Sequence, residues 1–367
     1  ALDDLEVTRI IVWREAVGSE ETSDNGLVYI GDAIQVEGAR PDVEEDYPEY
    51  PLNYKAAWGY MLLTNYLPNQ GNGTYTIRVV AEDREGNSSE LGTTTITCDN
   101  TSDIKPFGTI DTPTQGGEAS GSDFINFGWA LTPQPNYIPD DGSTITVLID
   151  GEEAGNPVYN QYRSDVAGLF TGYANSDGAV GYFYINTTEY INGEHTIAWS
   201  VEDSAGSTAG IGTRYFTILN TQAAGFLQSG MKGRRVEHHT PYSLESMYSL
   251  PSSFEPVKIL RGFKRHSRPE TVLVDNLGIV NIEIREVERV AVDLGKCVDY
   301  KGYMIVGNEL RPLPIGSTLN MQKGTFFWLP GPGFIGEYNL VFLVQDETGL
   351  KRRINTKIKI LPKFSIF

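Results

Sequence analysis

Cysteine is scarce in this chain of 367 residues, which contains only Cys98 and Cys297. The two lie far apart and no Cys-x-x-Cys pair occurs, so we expect neither a disulfide framework nor a cysteine-based metal site. No apolar run reaches the length of a membrane-spanning helix. Because the chain also lacks Gly-x-Ser-x-Gly, His-Glu-x-x-His, P-loop and dinucleotide-binding glycine motifs, it contains no catalytic motif and we predict that it is not an enzyme.

Positive charge is also in short supply, since 29 Lys and Arg face 48 Asp and Glu and the net charge is −19. Such a surface repels a phosphate backbone, so we do not expect nucleic acid as a partner. The chain opens on Ala1 without a signal-peptide pattern, which suits either a mature secreted product or a piece of a longer precursor. We expect a secreted protein, extracellular or at the cell surface.

What the chain does contain is a recurring segment: AEDREGNSS at 81–89, VEDSAGSTA at 201–209 and VQDETGLKR at 344–352. Each copy follows a run that alternates apolar and polar residues, which predicts a strand. Asp at the first position of a type I turn accepts backbone N–H groups, and Gly at the fourth position supplies a positive φ. We therefore predict the last hairpin of three successive β-domains, with structural turns at Asp83 and Gly86, Asp203 and Gly206, and Asp346 and Gly349.

The first two domains match further upstream, which indicates a tandem duplication over residues 1–101 and 102–221. RPDV at 40–43 corresponds to RSDV at 163–166, and residues 58–62 correspond to 180–184. The strand around Val12 corresponds to the strand around Leu148, which IDG at 149–151 follows. Together with NGEHTI at 192–197, these motifs resemble the immunoglobulin-like repeats of bacterial secreted and cell-surface proteins. The resemblance implies a sandwich of about seven strands per domain and implies no catalytic residue.

The last domain, residues 257–367, has a different signature, GTFFWLPGPGF at 324–334. This segment resembles the Gly-x-Phe-x-Trp-x-Pro pattern of cadherin-like or immunoglobulin-like domains, which implies that Trp328 is buried in a third sandwich. The predicted fold class is therefore all-β, with three consecutive immunoglobulin-like β-sandwiches. A long basic and aromatic linker, residues 222–256, is predicted to join the last two.

A basic tract at 230–270 stands out in this acidic chain, with eight Lys and Arg against four Glu. One interpretation is a solvated linker whose charges keep it extended. The alternative is an interaction strip for an acidic surface, including another copy of the chain. Residues 241–254 are too apolar for a free linker, so we expect them to dock on a neighbouring domain or subunit. The candidate strip comprises Arg234, Arg235, His238, His239, Tyr242, Tyr248, Phe254, Arg261, Lys264 and Arg265.

Three further candidate sites are weaker. Asp83, Glu85, Asp99 and Asp103 could gather oxygen ligands for calcium, although the chain has no EF-hand-type loop. His195 is expected to be a surface or half-buried framework residue rather than a catalytic base. Aromatic residues crowd one stretch of the first domain and could form a stacking platform, although core filling is the favoured interpretation. They are Tyr47, Tyr50, Tyr54, Trp58, Tyr60 and Tyr66.

We therefore expect a non-catalytic, extracellular structural or adhesive protein of a bacterial surface. Its expected partners are other proteins or copies of itself, assembled into a filament or layer through sandwich faces, an exposed sheet edge or the basic strip. The alternative is an accessory region of a secreted hydrolase that binds polysaccharide or acts as a spacer. No cofactor is expected beyond the candidate calcium.

Overall fold

A computed structural model describes residues 1–221, 242–264 and 267–363. The described chain is nearly all β, and its sheets form β-sandwiches, so the predicted fold class is confirmed. It divides into two compact units, one formed by residues 1–103 with 332–336 and the other by residues 104–331 with 337–367. No helix in the described residues is long and apolar enough to cross a membrane.

The first unit contains one five-stranded antiparallel sheet in the order β3-β2-β1-β4-β5. Its strands are β1 (Val7–Glu15), β2 (Leu27–Gln35), β3 (Trp58–Gly59), β4 (Asn72–Asp83) and β5 (Ser88–Asp99). Its helical segments are α1 (Pro41–Asp46), α2 (Pro68–Gly71) and 3₁₀ turns at Asn53–Lys55, Thr64–Tyr66 and Asn100–Ser102. One face of the sheet buries Ile10, Val12, Tyr75 and Ile77 beneath side chains of the segment 58–67. Over residues 1–103, which are all described, this segment lies where a sandwich has its second sheet.

The second sandwich, formed from residues 104–220, has two complete sheets in the orders β10-β9-β13-β14-β7 and β11-β12-β8-β6. Its strands are β6 (Phe107–Thr112), β7 (Gly117–Ala119), β8 (Phe124–Leu131), β9 (Ile145–Ile149), β10 (Glu152–Gly155), β11 (Val158–Gln161), β12 (Val180–Ile185), β13 (Gly193–Glu202) and β14 (Thr208–Ile218). Helix α3 (Ser164–Leu169) and 3₁₀ turns at Ser176–Gly178 and Thr187–Glu189 complete it. Trp199 lies fully buried between the sheets, and its indole N–H donates to the side-chain oxygen of Asn126 at 2.7 Å.

The third sandwich also has two sheets, in the orders β16-β15-β18-β22-β21 and β17-β24-β23-β19-β20. Its strands are β15 (Val257–Arg261), β16 (Glu270–Val272), β17 (Ile279–Arg285), β18 (Val290–Asp293), β19 (Asp299–Val306), β20 (Glu309–Arg311), β21 (Ser317–Asn320), β22 (Thr325–Trp328), β23 (Gly336–Gln345) and β24 (Lys351–Leu361). A short helix, α4 (Leu244–Tyr248), precedes them. Trp328 is buried, as its sequence pattern predicts, and its ring packs edge-on against Tyr338 with centroids 5.0 Å apart.

The RxDV motif has the same structure in both repeats. Arg40 and Arg163 each immediately precede a short helix, and each guanidinium pairs with the Asp two residues later, at 2.7 Å to Asp42 and 2.8 Å to Asp165. The sheet orders agree as well, because β2-β1-β4-β5 of the first unit corresponds to β10-β9-β13-β14 of the second sandwich. The two regions therefore share a strand arrangement as well as sequence landmarks.

Candidate interaction surfaces

The three Asp-x-x-Gly segments lie at hairpin turns. In each, one carboxylate oxygen accepts the backbone N–H groups two and four residues later, and the Gly has a φ near +80°. The distances are 2.8 and 2.8 Å for Asp83, 3.0 and 2.9 Å for Asp203, and 2.9 and 3.1 Å for Asp346. Hydrogen bonds to the charged form lower the pKa of Asp83, chiefly from the Asn87 side chain, and that of Asp346, chiefly from Thr348. These carboxylates hold the backbone in its turn.

A fourth copy of the turn was missed in the sequence. Asp275 accepts the N–H groups of Leu277 at 2.8 Å and Ile279 at 2.9 Å, and Gly278 has a φ of 78°. The signal was present as DNLG at 275–278, but this turn lies between a short edge segment and β17 rather than after a long alternating run. The same local chemistry therefore recurs outside the last hairpins.

The four acids of the calcium candidate are not brought together. Asp83 ends β4, whereas Asp99 pairs with Asn72 at the opposite end of the same hairpin, about 35 Å away for eleven residue steps. Asp99 instead accepts the hydroxyls of Thr101 at 2.5 Å and Ser102 at 2.7 Å. Within the described residues, no group of three or more His, Cys, Asp or Glu is arranged to hold a metal ion. The sequence placed the acids near one domain junction, but the long hairpin separates them.

His195 is more deeply buried than expected, with 2% of its surface exposed. Its Nδ1 lies 2.7 Å from a carboxylate oxygen of Asp150, and its Nε2 lies 2.8 Å from the carbonyl oxygen of Ile191. The other oxygen of Asp150 accepts the N–H of Thr196 at 3.0 Å. Burial alone lowers the pKa of His195, but the hydrogen bond and charge of Asp150 outweigh it, so the pKa is raised. The expected surface or half-buried position is corrected: His195 is a buried framework residue with a carboxylate partner.

Asp150 and Gly151 form the two-residue turn between β9 and β10, with φ values of 52° and 78°. Both positive values are typical of a type I′ hairpin, which Asp-Gly favours. The turn also contacts the third sandwich, because Arg289 donates to the carbonyl of Gly151 at 2.9 Å. The next residue, Glu152, accepts Asn320 at 2.5 Å and Lys323 at 3.0 Å. This hairpin therefore bonds inward to His195 and outward to the next domain.

Tyr215 provides a second bond across the same junction. Its hydroxyl accepts the N–H of Gly331 at 2.7 Å, and the residue is only 5% exposed. The Arg289 guanidinium lies over the ring of Phe327, 5.4 Å from its centroid, and burial lowers the pKa of Arg289. Buried polar contacts of this kind have strict geometry, so the junction fixes the second sandwich against the third.

The expected docking of residues 241–254 is observed over 242–254, against the third sandwich. Met247 of α4 is fully buried with Val341 and Leu343 of β23, and Tyr242, Leu244 and Leu250 pack around them. Backbone bonds attach the segment to β24, where Arg353 donates its N–H to Pro251 at 2.9 Å and accepts that of Ser253 at 2.8 Å. This part of the predicted linker is therefore an added layer on the third sandwich.

The remaining strip residues divide into three groups. Tyr242 and Tyr248 are covered by cations of the third sandwich, with Lys301 5.5 Å and Arg353 5.0 Å from the two ring centroids. Arg261 pairs with Glu270 at 2.5 Å, whereas Phe254 and Lys264 are exposed. Arg234, Arg235, His238, His239 and Arg265 lie outside the described residues. Among the described strip residues, two aromatic members, Tyr242 and Tyr248, therefore pack on the third sandwich.

The aromatic residues of the first unit have two environments. Trp58 and Tyr60 pack against the core, and the Tyr60 hydroxyl donates to the carbonyl of Ile30 at 3.1 Å. The exposed members are Tyr47, Tyr50, Tyr54 and Tyr66, which are 36–53% exposed. Tyr47 and Tyr50 stack edge-on at 6.2 Å. Only the exposed tyrosines could contact a ligand, so the core-filling interpretation applies to Trp58 and Tyr60.

No family model and no curated protein matches the chain. Among solved structures it is similar to the fibronectin(III)-like modules of Clostridium thermocellum CbhA, with 8% identity and a TM-score of 0.20 over 71% of this chain and 97% of that one. It is also similar to Bacteroides ovatus SGBP-B in complex with a mixed-linkage heptasaccharide, with 8% identity and a TM-score of 0.18, covering 98% of this chain but under two thirds (62%) of that one. A 1.5-MDa bacterial ice-binding adhesin gives 10% identity and a TM-score of 0.18 over 98% of this chain and 88% of that one. At these values the similarities carry no functional argument.

Proposed function

We propose that this chain is a non-catalytic structural or adhesive element of a bacterial surface, which works outside the cell and associates with other proteins or with copies of itself. The observation that carries the proposal is the junction in the second compact unit. Buried or half-buried hydrogen bonds join the two sandwiches there, and they are made by Tyr215, Arg289 and Glu152. A chain that only tethers a neighbouring domain has no need of such a fixed junction, whereas a structural element does.

The surface of the described chain supports the same proposal. A depression lined by Ala1, Gln35 and Lys55 is open to solvent and has room for little more than one water molecule, far less than a typical ligand pocket. The Asp residues of the three Asp-x-x-Gly segments hold backbone turns. In the buried Asp150–His195 pair, both carboxylate oxygens of Asp150 accept hydrogen bonds from the framework. These groups support a framework role.

The proposal is tested by immunogold electron microscopy with an antibody against the purified chain. We expect label on intact, non-permeabilised cells and on material released from their surface. Label that appears only after permeabilisation would contradict an extracellular role. A strain in which the coding sequence is deleted is the control for antibody specificity.

The junction itself is tested with Tyr215→Phe in the full chain. Removing the hydroxyl leaves the buried N–H of Gly331 without its acceptor, which costs about 1–3 kcal/mol. Tyr184→Phe is the matched control, because Tyr184 is 58% exposed in the same sandwich. Thermal unfolding should shift to a lower temperature for Tyr215→Phe alone. Equal thermal unfolding midpoints for Tyr215→Phe and Tyr184→Phe would mean that the junction does not support the proposed function.

Polysaccharide binding by an accessory region is the second candidate, and the exposed tyrosines of the first unit favour it. Tyr47, Tyr50 and Tyr54 expose 36–46% of their surfaces, and exposed rings can stack on sugar rings. A glycan array with the wild type and Tyr47→Ala/Tyr50→Ala distinguishes the two functions. Binding that the double variant loses, and that Tyr137→Ala in the second sandwich keeps, would favour the accessory function.

A further inference from the structure

Strand β5 is an unusually open sheet edge. Ten of its twelve residues are exposed, and only Ile96 and Cys98 are half-buried. The other edge strands of the described sheets are two to seven residues long. Proteins commonly keep edge strands short or charged because an edge presents unpaired N–H and C=O groups to any other strand. Among the described strands, β5 is the exception.

The equivalent strands of the other two domains each have a further strand on part of their outer edge. β5, β14 and β24 are each the return strand after an Asp-x-x-Gly turn. In the second sandwich β7 pairs with the last three residues of the outer edge of β14, and in the third β17 pairs with seven residues of the outer edge of β24. In the first unit no described strand pairs with the outer edge of β5. This edge of the fold therefore takes an added strand, and in the first unit that position is open.

The composition of β5 favours pairing with another strand rather than protection against such pairing. Its pairing with β4 is irregular opposite Val79 and Val80 but regular from Gly92 to Asp99. Residues 92–98, GTTTITC, contain no charge and no proline, and Thr and Ile favour strands. Of the two carboxylates in β5, Glu90 lies 3.6 Å from Arg78 of the adjacent strand, and Asp99 accepts the hydroxyls of Thr101 and Ser102. Like charges therefore do not oppose one another within this stretch.

We propose that β5 pairs antiparallel with β5 of a second copy of this chain, joining the two five-stranded sheets edge to edge. The proposal rests on the proposed function, because it names the surface through which copies associate. In an antiparallel pair related by a two-fold axis, one residue must face itself, since hydrogen-bonded and non-hydrogen-bonded pairs alternate. Centring the regular stretch places Thr95 opposite Thr95 of the second copy and Thr93 opposite Thr97. Thr–Thr pairs are favourable across strands.

The charge of the first unit sets the conditions for this association. Residues 1–103 contain 20 Asp and Glu against 6 Lys and Arg, a net charge of −14. Two copies repel one another at long range, whereas the pairing surface is neutral. Salt screens the repulsion, with a Debye length of about 10 Å at 0.1 M falling to about 3 Å at 1 M. Association therefore strengthens as salt increases, which is opposite to the behaviour of a complex held by ion pairs.

Sedimentation equilibrium of the full chain over a range of salt concentrations is the test. We expect the wild type to shift from monomer toward dimer as salt rises. Thr93→Lys/Thr97→Lys places Lys opposite Lys twice and should weaken the dimer about tenfold. Thr93→Lys/Thr97→Glu places opposite charges in those positions and should restore it. Ser120→Lys/Ser122→Lys, in an exposed loop of the second sandwich, adds the same charge as the first variant and should not weaken the dimer.

The Lys variants separate edge pairing from simple repulsion. Adding two Lys makes the chain less acidic, so repulsion alone predicts stronger association for Thr93→Lys/Thr97→Lys, whereas edge pairing predicts weaker association. Far-ultraviolet circular dichroism checks that each variant is folded. A wild type that stays monomeric at every salt concentration, or a dimer that the Lys pair leaves intact, overturns the proposal. Neither result bears on the cell-surface label, so the two proposals fail separately.

Cross-linking provides an independent measurement that needs no destabilising charge. In a Cys98→Ser/Cys297→Ser background, Thr95→Cys places two sulfurs across the two-fold axis, within the Cα separation of about 4.4–6.8 Å that a disulfide spans. Thr94→Cys is the matched control, because residue 94 faces Ile96 of the second copy and not itself. We expect a covalent dimer from Thr95→Cys and little from Thr94→Cys. Equal cross-linking of the two would contradict this register.

Discussion

The first unit and the second sandwich share four strands in the same order, yet they build different interiors around them. In the second sandwich Trp199 of β13 lies between two sheets, whereas the corresponding residue of β4 is the half-buried Val79. Asp150 and His195 form a buried pair, whereas the residue that corresponds to His195 in the first unit is Tyr75, whose hydroxyl donates to the carbonyl of Pro68. The outer edge of β14 is paired over its last three residues, whereas no described strand pairs with the outer edge of β5. A repeat can therefore keep its strand order while its core, its buried polar pair and its edge change.

These differences all depend on whether a second sheet covers the shared strands. The indole of Trp199 needs a second sheet to fill the space against Gly128 and Gly181, which lie close to its ring. The first unit covers its sheet with the segment 58–67, which leaves a thinner core. A smaller residue at position 79 fits that core. The two regions therefore differ together at several positions because one missing layer affects all of them.

The largest effect is expected when the core residue of the first unit is copied into the second sandwich. Trp199→Val removes most of a fully buried side chain and the hydrogen-bond partner of Asn126, so it should cost about 3–5 kcal/mol. Amide hydrogen exchange on β13 measures the loss locally, which suits a chain of several domains. Amides of β4 are the internal control and should keep their protection. Equal loss in β4 and β13 would contradict independent cores.

A smaller effect with a distinctive pH dependence is expected for Asp150→Asn. The variant keeps the turn and the acceptor for Thr196 but loses the charge beside His195, at a cost of about 2 kcal/mol. Because the pKa of His195 is raised in the folded chain, the pair stabilises fully below the unfolded value of 6.5 and its contribution is lost as pH rises through the folded pKa. The stability of β13 should therefore decline above about pH 6.5 in the wild type.

The quantity to compare between variants is the slope of β13 stability against pH, rather than the absolute stability. Asp150→Asn should flatten the decline, because the neutral amide does not favour imidazolium. Glu194→Gln changes an exposed carboxylate next to His195 in sequence and should leave most of the slope in place. Wild-type protection on β13 that rises with pH across this range would show that the histidine is not charged in its pair.

The hairpins were predictable because their chemistry is local. Asp and Gly three residues apart supply both the acceptor and the positive φ, so AEDREGNSS alone indicates the turn. Asp150 and His195 are 45 residues apart, and their pairing depends on the register of β9 against β13. Both residues lie in recognisable segments, IDG at 149–151 and NGEHTI at 192–197, but no single segment indicates that they meet. Pairing between distant strands needs the register, which sequence patterns leave open.

The single sheet of the first unit had a signal in the sequence. The strand around Val12 matches the strand around Leu148, so the match begins near the start of the first repeat but about 40 residues into the second. Strands β6, β7 and β8 lie in those unmatched residues, and they supply half of the second sheet and the cover of β14. The acids of the calcium candidate are close to a predicted junction in the sequence, but Asp83 and Asp99 are separated by the length of a hairpin.

The smallest effect is expected for the polar pair of the first unit, Arg14 and Glu20. Arg14 is 6% exposed and its guanidinium donates two bonds to Glu20, at 2.6 and 2.5 Å, but the carboxylate side chain is 31% exposed. Water can therefore replace part of the interaction with Arg14 that Glu20→Gln removes, and the variant should lower the free energy of unfolding by about 1 kcal/mol. The bond to Arg14 lowers the pKa of Glu20, so the stabilisation is present above the unfolded value of 4.5 and is lost as pH falls. Hydrogen exchange on β1 at neutral and acidic pH measures this loss of stability, with Glu21→Gln as the exposed neighbouring control.

The stabilities of the two regions should then respond to pH in opposite directions, the first unit losing stability in acid and the second sandwich in base. A parallel response would show that the pairs are not the source of the difference.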